Sequence, residues 1–270
     1  MNPWKSDGGL GVESGFSPRY AFKVWYRDFV VWTRYWWTSL VGGLGEPVLY
    51  FLAMGYGLGS FVKNIEGFPY VQFLAPGLIC STIMHSASFE TTYSSYTRME
   101  IQKTYHSIAV TPVNVSEVIA GEILWGATKS LFSGGIMLLA VLVMGILPKE
   151  HLANLIFLCP LLVVEALLFS ALGMLMTSFA KDYDFFTYYF TLGLEPMFLF
   201  SGTFFPLSSL PLLVQKTALI LPLAGPVAIA RLLVLGIPYP SLWWGIGWTI
   251  FLTFAISTWA IRRMVKRLVV

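Results

Sequence analysis

Charge is scarce in this chain. Lys, Arg, Asp and Glu make up 11% of its 270 residues, where soluble domains carry about 25%. A water-soluble protein of this size has more surface than so few charges can cover. Cysteine is nearly absent: Cys80 and Cys159 sit in separate apolar runs with no paired spacing, which excludes a disulfide framework or a thiolate metal site and marks both as small buried hydrophobes. The three histidines, His85, His106 and His151, have no carboxylate or cysteine at ligand spacing, so no metal or acid–base role is expected of them. No nucleophile elbow and no paired catalytic carboxylates occur. The nearest approach to a phosphate-binding loop runs from Gly121 to Ser130, but two extra residues precede Lys129 and the segment lies inside an apolar stretch. The chain is therefore not expected to be an enzyme or to hold a cofactor of its own. Net charge, +3, is too small to point to nucleic acid. The first 18 residues lack an apolar core and a small-residue cleavage site, so they do not read as a signal peptide.

What is abundant is apolar sequence. Hydrophobic residues reach 56% and mean hydropathy is +0.70. A helix needs about 20 apolar residues to cross the hydrocarbon core, and six stretches qualify, at about 39–62, 70–97, 116–147, 152–180, 185–205 and 240–261. No strand-like alternation interrupts them, which argues against a β-barrel. The expected fold is an all-α integral membrane protein, with residues 1–270 forming one transmembrane domain.

Ahead of the first span, residues 18–38 carry Phe22, Trp25, Phe29, Trp32 and Trp36 on one helical face and Arg19, Lys23, Arg27 and Arg34 on another. That pattern predicts an amphipathic helix lying flat in the interface, rings in the acyl boundary and cations toward anionic headgroups. Orientation follows from Lys and Arg. With the N-terminus inside, one side holds 12 basic residues (Lys5, Arg19, Lys23, Arg27, Arg34, Arg98, Lys103, Lys181, Arg262, Arg263, Lys266, Arg267) and the other 4 (Lys63, Lys149, Lys216, Arg231). Both termini are expected in the cytoplasm.

Two connections are long. In the cytoplasmic one, from Arg98 to about Ser116, Pro112 breaks any helix, and Asn114 with Glu117 three residues later predicts an N-cap for the third span. The other, about 206–236, is apolar but broken by Pro206, Pro211, Pro222 and Pro226. It reads as two short helices, too short to cross, dipping into the outer leaflet between spans five and six.

Ionisable residues within spans are costly and usually line a cavity or a helix contact. At ~1.5 Å per residue, Lys129, Glu165 and Glu195 all fall near mid-bilayer. Lys129 is expected to be neutralised by Glu165 or Glu195, and Glu195, beside Pro196, to face a translocation path. Glu46, Glu90 and Glu122 fall near the cytoplasmic interface, where they are expected to fix helix ends. Gly55, Gly57 and Gly59 suit either close packing within the chain or a dimer seam. Tyr93, Tyr96, Tyr188, Tyr189 and Phe190 suit either an interfacial belt or contact with a glycan or acyl chain.

Several segments resemble the membrane subunits of type-2 ABC exporters, especially permeases of the nodulation-type lipooligosaccharide exporters. They are GEPVLYFLAMGYGLG (45–59), SFETTYSSYTRME (88–100), GEILWGATKS (121–130), SALGMLMTSFAKDYD (170–184), PMFLFSGTFFPLSSLP (196–211) and LPLAGPVAIAR (221–231). They are spread over nearly the whole chain in the family's order, with one departure at Glu195, where the pattern is uncharged. The resemblance implies a homodimeric permease in the bacterial inner membrane, served by two copies of a separate ATPase that binds ATP and Mg. It also implies a coupling helix, mapped here to residues 99–109 with Met99, Glu100, Lys103, Tyr105 and His106, that docks on that ATPase. The implied cargo is an amphiphile such as a lipid-linked oligosaccharide or polysaccharide. A drug or other hydrophobic small molecule is the alternative within the family, and a proton-coupled secondary transporter the alternative outside it.

Overall fold

The computed structural model describes residues 16–37, 48–62 and 64–269. Glu46 and the start of the first expected span lie outside them.

Helix α1 (Pro18–Trp32) comes first, with Pro in its opening turn, where a missing N–H costs nothing. The short apolar helix α2 (Val48–Ser60) follows. A hairpin of two-residue strands, β1 (Asn64–Ile65) and β2 (Phe68–Pro69), turns at Glu66 and Gly67, both at positive φ. It leads into α3 (Tyr70–Phe89), which continues through two π-helical turns, Glu90–Ser94 and Thr97–Ile101. Lys103, at φ 52°, turns the chain into the short helix α4 (Thr104–Ala109). Next come α5 (Val115–Val143), a 3-10 turn (Lys149–Asn154) and α6 (Leu155–Phe179). Helix α7 (Asp184–Tyr188) passes through a π-helical stretch (Tyr189–Leu194) into α8 (Glu195–Phe200). The short helices α9 (Leu212–Ala218) and α10 (Ala224–Leu235) precede the last helix, α11 (Leu242–Val269).

Three of these helices are long and apolar enough to cross a membrane, at Val115–Val143, Lys149–Phe179 and Leu242–Leu268. They match expected spans at 116–147, 152–180 and 240–261. Two short helices, not one long one, occupy the proline-broken segment between α8 and α11.

The centre of the bundle is α3, α5 and α6, with α10 and α11 packed outside. In lipid there is little hydrophobic drive between helices, so close packing has to supply the attraction. Gly173 on α6 shows how tight it is: an added Cβ would stand 2.2 Å from Thr91 Oγ1 and 3.1 Å from the Ser88 carbonyl. Gly55 meets α3 in the same way, at 2.7 Å from Val71, whereas Gly57 faces open space. One apolar cluster joins α2, α3, α5, α6 and α10 through Phe51, Leu74, Ile83, Met137, Phe169 and Val227. A second lies at the α4 end of the bundle and includes Val24, Met99, Tyr105, Ile119, Met174 and Met264. Cys80 is buried as expected, but Cys159 is exposed on the surface of α6.

Helix α1 departs from expectation. Its contacts advance in step with α5: Ser17 with Glu117, Ala21 and Val24 with Gly121, Trp25 with Thr128, Trp32 with Phe132. A helix that tracks α5 over this length runs alongside it. The buried stripe is Ala21, Val24 and Asp28. Phe22, Trp25, Phe29 and Trp32 do form one stack, with centroid spacings of 4.9, 5.4 and 6.2 Å. That stack flanks α5: the Trp25 indole N–H donates to Thr128 Oγ1, and Trp32 meets Trp125 and Phe132 edge-on.

Candidate functional site: an ion-pair network binding α1, α3 and α5

The two π turns after α3 each carry one member of a buried network. The first presents Glu90 and the second Arg98, and π turns recur where a helix must re-aim side chains at a site. Arg98 donates from Nη1 to Glu90 Oε1 at 2.9 Å, and from Nε and Nη2 to Glu122 Oε2 at 3.0 and 2.6 Å. Ser95 Oγ donates to the same Glu122 oxygen at 2.9 Å. The other Glu122 oxygen accepts from Arg27 Nη2 at 3.0 Å, and Arg27 also holds Asp28 Oδ1 at 2.7 Å. Glu90 accepts from the Trp125 indole at 2.9 Å and from Lys129 Nζ at 2.6 Å.

Three cations thus face three acids, drawn from α1, the α3 extension and α5. Glu90 and Glu122 are almost fully buried, and burial as a carboxylate without a cation would be prohibitive for either. Asp28 is the strained member. Burial, and then the neighbouring Glu122 charge, push its carboxyl up to about 7, against the pull of Arg98 and Arg27.

Several sequence expectations change here. Lys129 does not meet Glu165 or Glu195; its partner is Glu90. Depth fixes a layer but not a direction around a helix, and a helical side chain leans toward its own N-terminus. Lys129 therefore reaches back along α5 to the level of Trp125, where Glu90 already sits. Glu165 is fully buried against the Cys80 thiol, with no cation beside it among the described residues. Glu90 and Glu122, expected as interface charges near water, are the buried centre of the network. Arg27, expected to face headgroups, turns inward to Glu122.

The expected coupling residues divide in two. Met99 and Tyr105 are fully buried; they anchor the segment and are not displayed to a partner. Burial, with Glu122 nearby, raises the Tyr105 hydroxyl well above the ordinary tyrosine range. Glu100 and Lys103 pair at the surface at 3.1 Å, and Arg267 on α11 joins Glu100 at 3.2 Å. His106 is partly exposed. Residues 99–101 belong to the second π turn, so the separate helix is Thr104–Ala109, shorter than the expected 99–109.

Sequence reasoning read Glu117 as one half of a capping box, and it does accept the Asn114 N–H at 2.8 Å. Its second bond, from the Ser17 N–H at 2.7 Å, had no local signal. Reasoning from spacing also set His85 aside, yet its Nε2 lies 3.4 Å from Glu195 Oε1. The two are 110 positions apart, and only the packing of α3 on α8 brings them together.

The chain matches the ABC-2 type transporter family over residues 21–235. It is 35% identical over 248 residues to "Nodulation protein J" of Rhizobium leguminosarum bv. viciae, covering 90% of this chain and 94% of that one. Identity to "Nodulation protein J" of Sinorhizobium fredii is 36% over 208 residues, 77% and 78% of the two chains. Against "Inner membrane transport permease YadH" of Escherichia coli it is 31% over 188 residues, 70% and 72%.

Proposed function

The chain belongs to the ABC-2 type transporter family, whose members are membrane permeases and not enzymes, and on that premise we propose that it is the permease half of an ATP-driven exporter of an amphiphilic, glycan-bearing molecule. In this reading six helical segments cross the inner membrane and both termini lie in the cytoplasm. Helices α9 and α10 are re-entrant on the outer side. Two copies of the chain form the path, and two copies of a separate ATPase bind ATP and Mg.

One observation carries the reading. Helix α4 is held by Tyr105 beneath the Arg98–Glu122 contact, and that contact continues to α1 through Arg27 and to mid-α5 through Glu90 and Lys129. A push on α4 is therefore delivered to α1, α3 and α5 together. Glu100, Lys103 and His106 offer the surface on which the ATPase acts. The similarity to nodulation proteins J favours a lipooligosaccharide cargo over a drug-like one.

The test is reconstitution of the permease with its ATPase in liposomes. Export should stop when the ATPase phosphate-binding lysine is replaced, with an imposed proton gradient still present. Export that continues on the gradient alone would identify a proton-coupled transporter instead.

A further inference from the structure

Four glutamates within the long helices, Glu90, Glu117, Glu122 and Glu165, are at most 2% exposed. Glu195 is unlike them: its side chain is 51% exposed, and that of its neighbour His85 is 32%. His85 stands midway along the helix running from Tyr70 to Ile101. Polar groups this deep are unfavourable against lipid, so this face of the bundle meets water or a ligand. We propose that His85 and Glu195 form a hydroxyl-binding subsite that takes a sugar ring of the exported molecule. This rests on the exporter reading and deepens it.

The chemistry of the pair selects the ligand. His85 Nδ1 lies 2.9 Å from the Ser81 carbonyl, which can only accept, so Nδ1 carries a proton. Nε2 of the neutral ring is then a lone pair facing a carboxyl oxygen at 3.4 Å. Two lone pairs do not hold each other; one proton must lie between them. It sits on Nε2, giving imidazolium and carboxylate, or on the oxygen, giving neutral imidazole and acid. Either way the pair has one donor and one acceptor facing each other and no net charge. A hydroxyl matches both at once, donating to the carboxylate and accepting from Nε2–H. An ammonium has no acceptor for the imidazolium, and a phosphate dianion has no donor for the carboxylate. The 3.4 Å gap exceeds the usual charge-assisted bond of about 2.7–2.9 Å, so the contact is loose enough for a hydroxyl to enter.

The surroundings fit a sugar. Phe198 stands edge-on to the His85 ring at 5.5 Å and packs on Phe204 at 4.8 Å. Tyr50 of α2 lies 6.0 Å from Phe198 and is near Glu195. Phe89, one helical turn from His85, is 51% exposed. Phe198 is buried behind the pair, while exposed Phe89 and half-buried Tyr50 and Phe204 offer apolar surface to the C–H face of a pyranose beside groups that hold its hydroxyls.

The experiment uses the permease with its ATPase in liposomes, with palmitoyl maltotriose as probe and palmitoyl amine and palmitoyl phosphate as cationic and anionic controls. The sugar conjugate should stimulate ATP hydrolysis. His85→Phe and Glu195→Leu should each raise its half-stimulating concentration about tenfold, with co-purification of the ATPase reporting that the variants assemble. The exchange variant, His85→Glu with Glu195→His, keeps a one-proton pair and should recover most of the loss. Single variants with the unaltered half-stimulating concentration, or controls that compete as well as the sugar, overturn the subsite while leaving the exporter standing. If none of the acylated probes stimulates the assembled wild-type complex, the glycan-exporter reading fails and this inference with it.

Discussion

Glu117 accepts the backbone N–H of Ser17 at 2.7 Å across 100 residues of sequence, while its other oxygen accepts the N–H of Asn114 at 2.8 Å. One fully buried carboxylate thereby caps the starts of both α1 and α5, satisfying donors that each helix would otherwise leave open. Glu117→Gln keeps one acceptor oxygen and Glu117→Ala keeps none. Each lost bond to the charged group costs about 1.5–3 kcal/mol. Thermal unfolding of the purified permease should rank wild type above Gln and Gln above Ala, with protease cutting near residue 17 rising in the same order. Equal behaviour of Gln and Ala would mean that only one of the two bonds matters.

The Lys129–Glu90 pair makes a second prediction. Lys129→Met leaves three acids facing two cations, and breaking one side of a buried pair costs about 3–5 kcal/mol. Lys129→Met combined with Glu90→Gln should be milder than Lys129→Met alone, read as the yield of folded protein from membranes. Adding Glu165→Leu instead should give no rescue. Rescue by the Glu165 change would restore the pairing expected from depth alone.

Asp28 predicts a pH dependence. Its carboxyl is raised from 3.8 to about 7, so the folded state keeps a proton that the unfolded chain has already lost. The contribution of this site is full at pH below the unfolded value and is lost as pH rises toward the folded one. Asp28→Asn imitates the protonated form. The variant should melt with wild type near pH 4 and a few degrees above it by pH 7.5. A gap that is constant across this range would contradict the assignment.

Gly121 gives the sharpest contrast between two small changes. A Cβ there would stand 2.6 Å from Val24 Cβ and 2.7 Å from the Ala21 carbonyl, while a Cβ at Gly135 on the same helix meets nothing within 4 Å. Gly121→Ala should displace α1 and cost about 1–3 kcal/mol, as overpacking does; Gly135→Ala should be neutral. Cross-linking of cysteines placed at Trp25 and Thr128 reads the displacement directly.

Local rules read local features well. Asn114 followed three residues later by Glu117 marked the start of α5, because a capping box is written in four consecutive residues. The spans at α5, α6 and α11 were legible from length and hydropathy, and the prolines between 206 and 226 marked a break into short helices. Azimuth was not legible. Counting residues along the spans sets Lys129, Glu165 and Glu195 at one depth, but which faces which depends on helix rotation and on the π turns at Glu90–Ser94 and Thr97–Ile101, which shift the register of everything after Phe89. The stripe on α1 was read correctly as aromatic, yet its partner proved to be α5. An amphipathic pattern states that a face will be covered, and lipid and protein cover it equally well.

The three-against-three charge balance has a consequence for how the protein is made. Its members leave the ribosome in three instalments: Arg27 and Asp28 first, Glu90 and Arg98 next, Glu122 and Lys129 last. Until α5 has been synthesised, Arg98 has only Glu90, and Arg27 only Asp28. The network therefore closes only when α5 supplies Glu122 and Lys129. The helix made last of the three settles the charges of the two made before it.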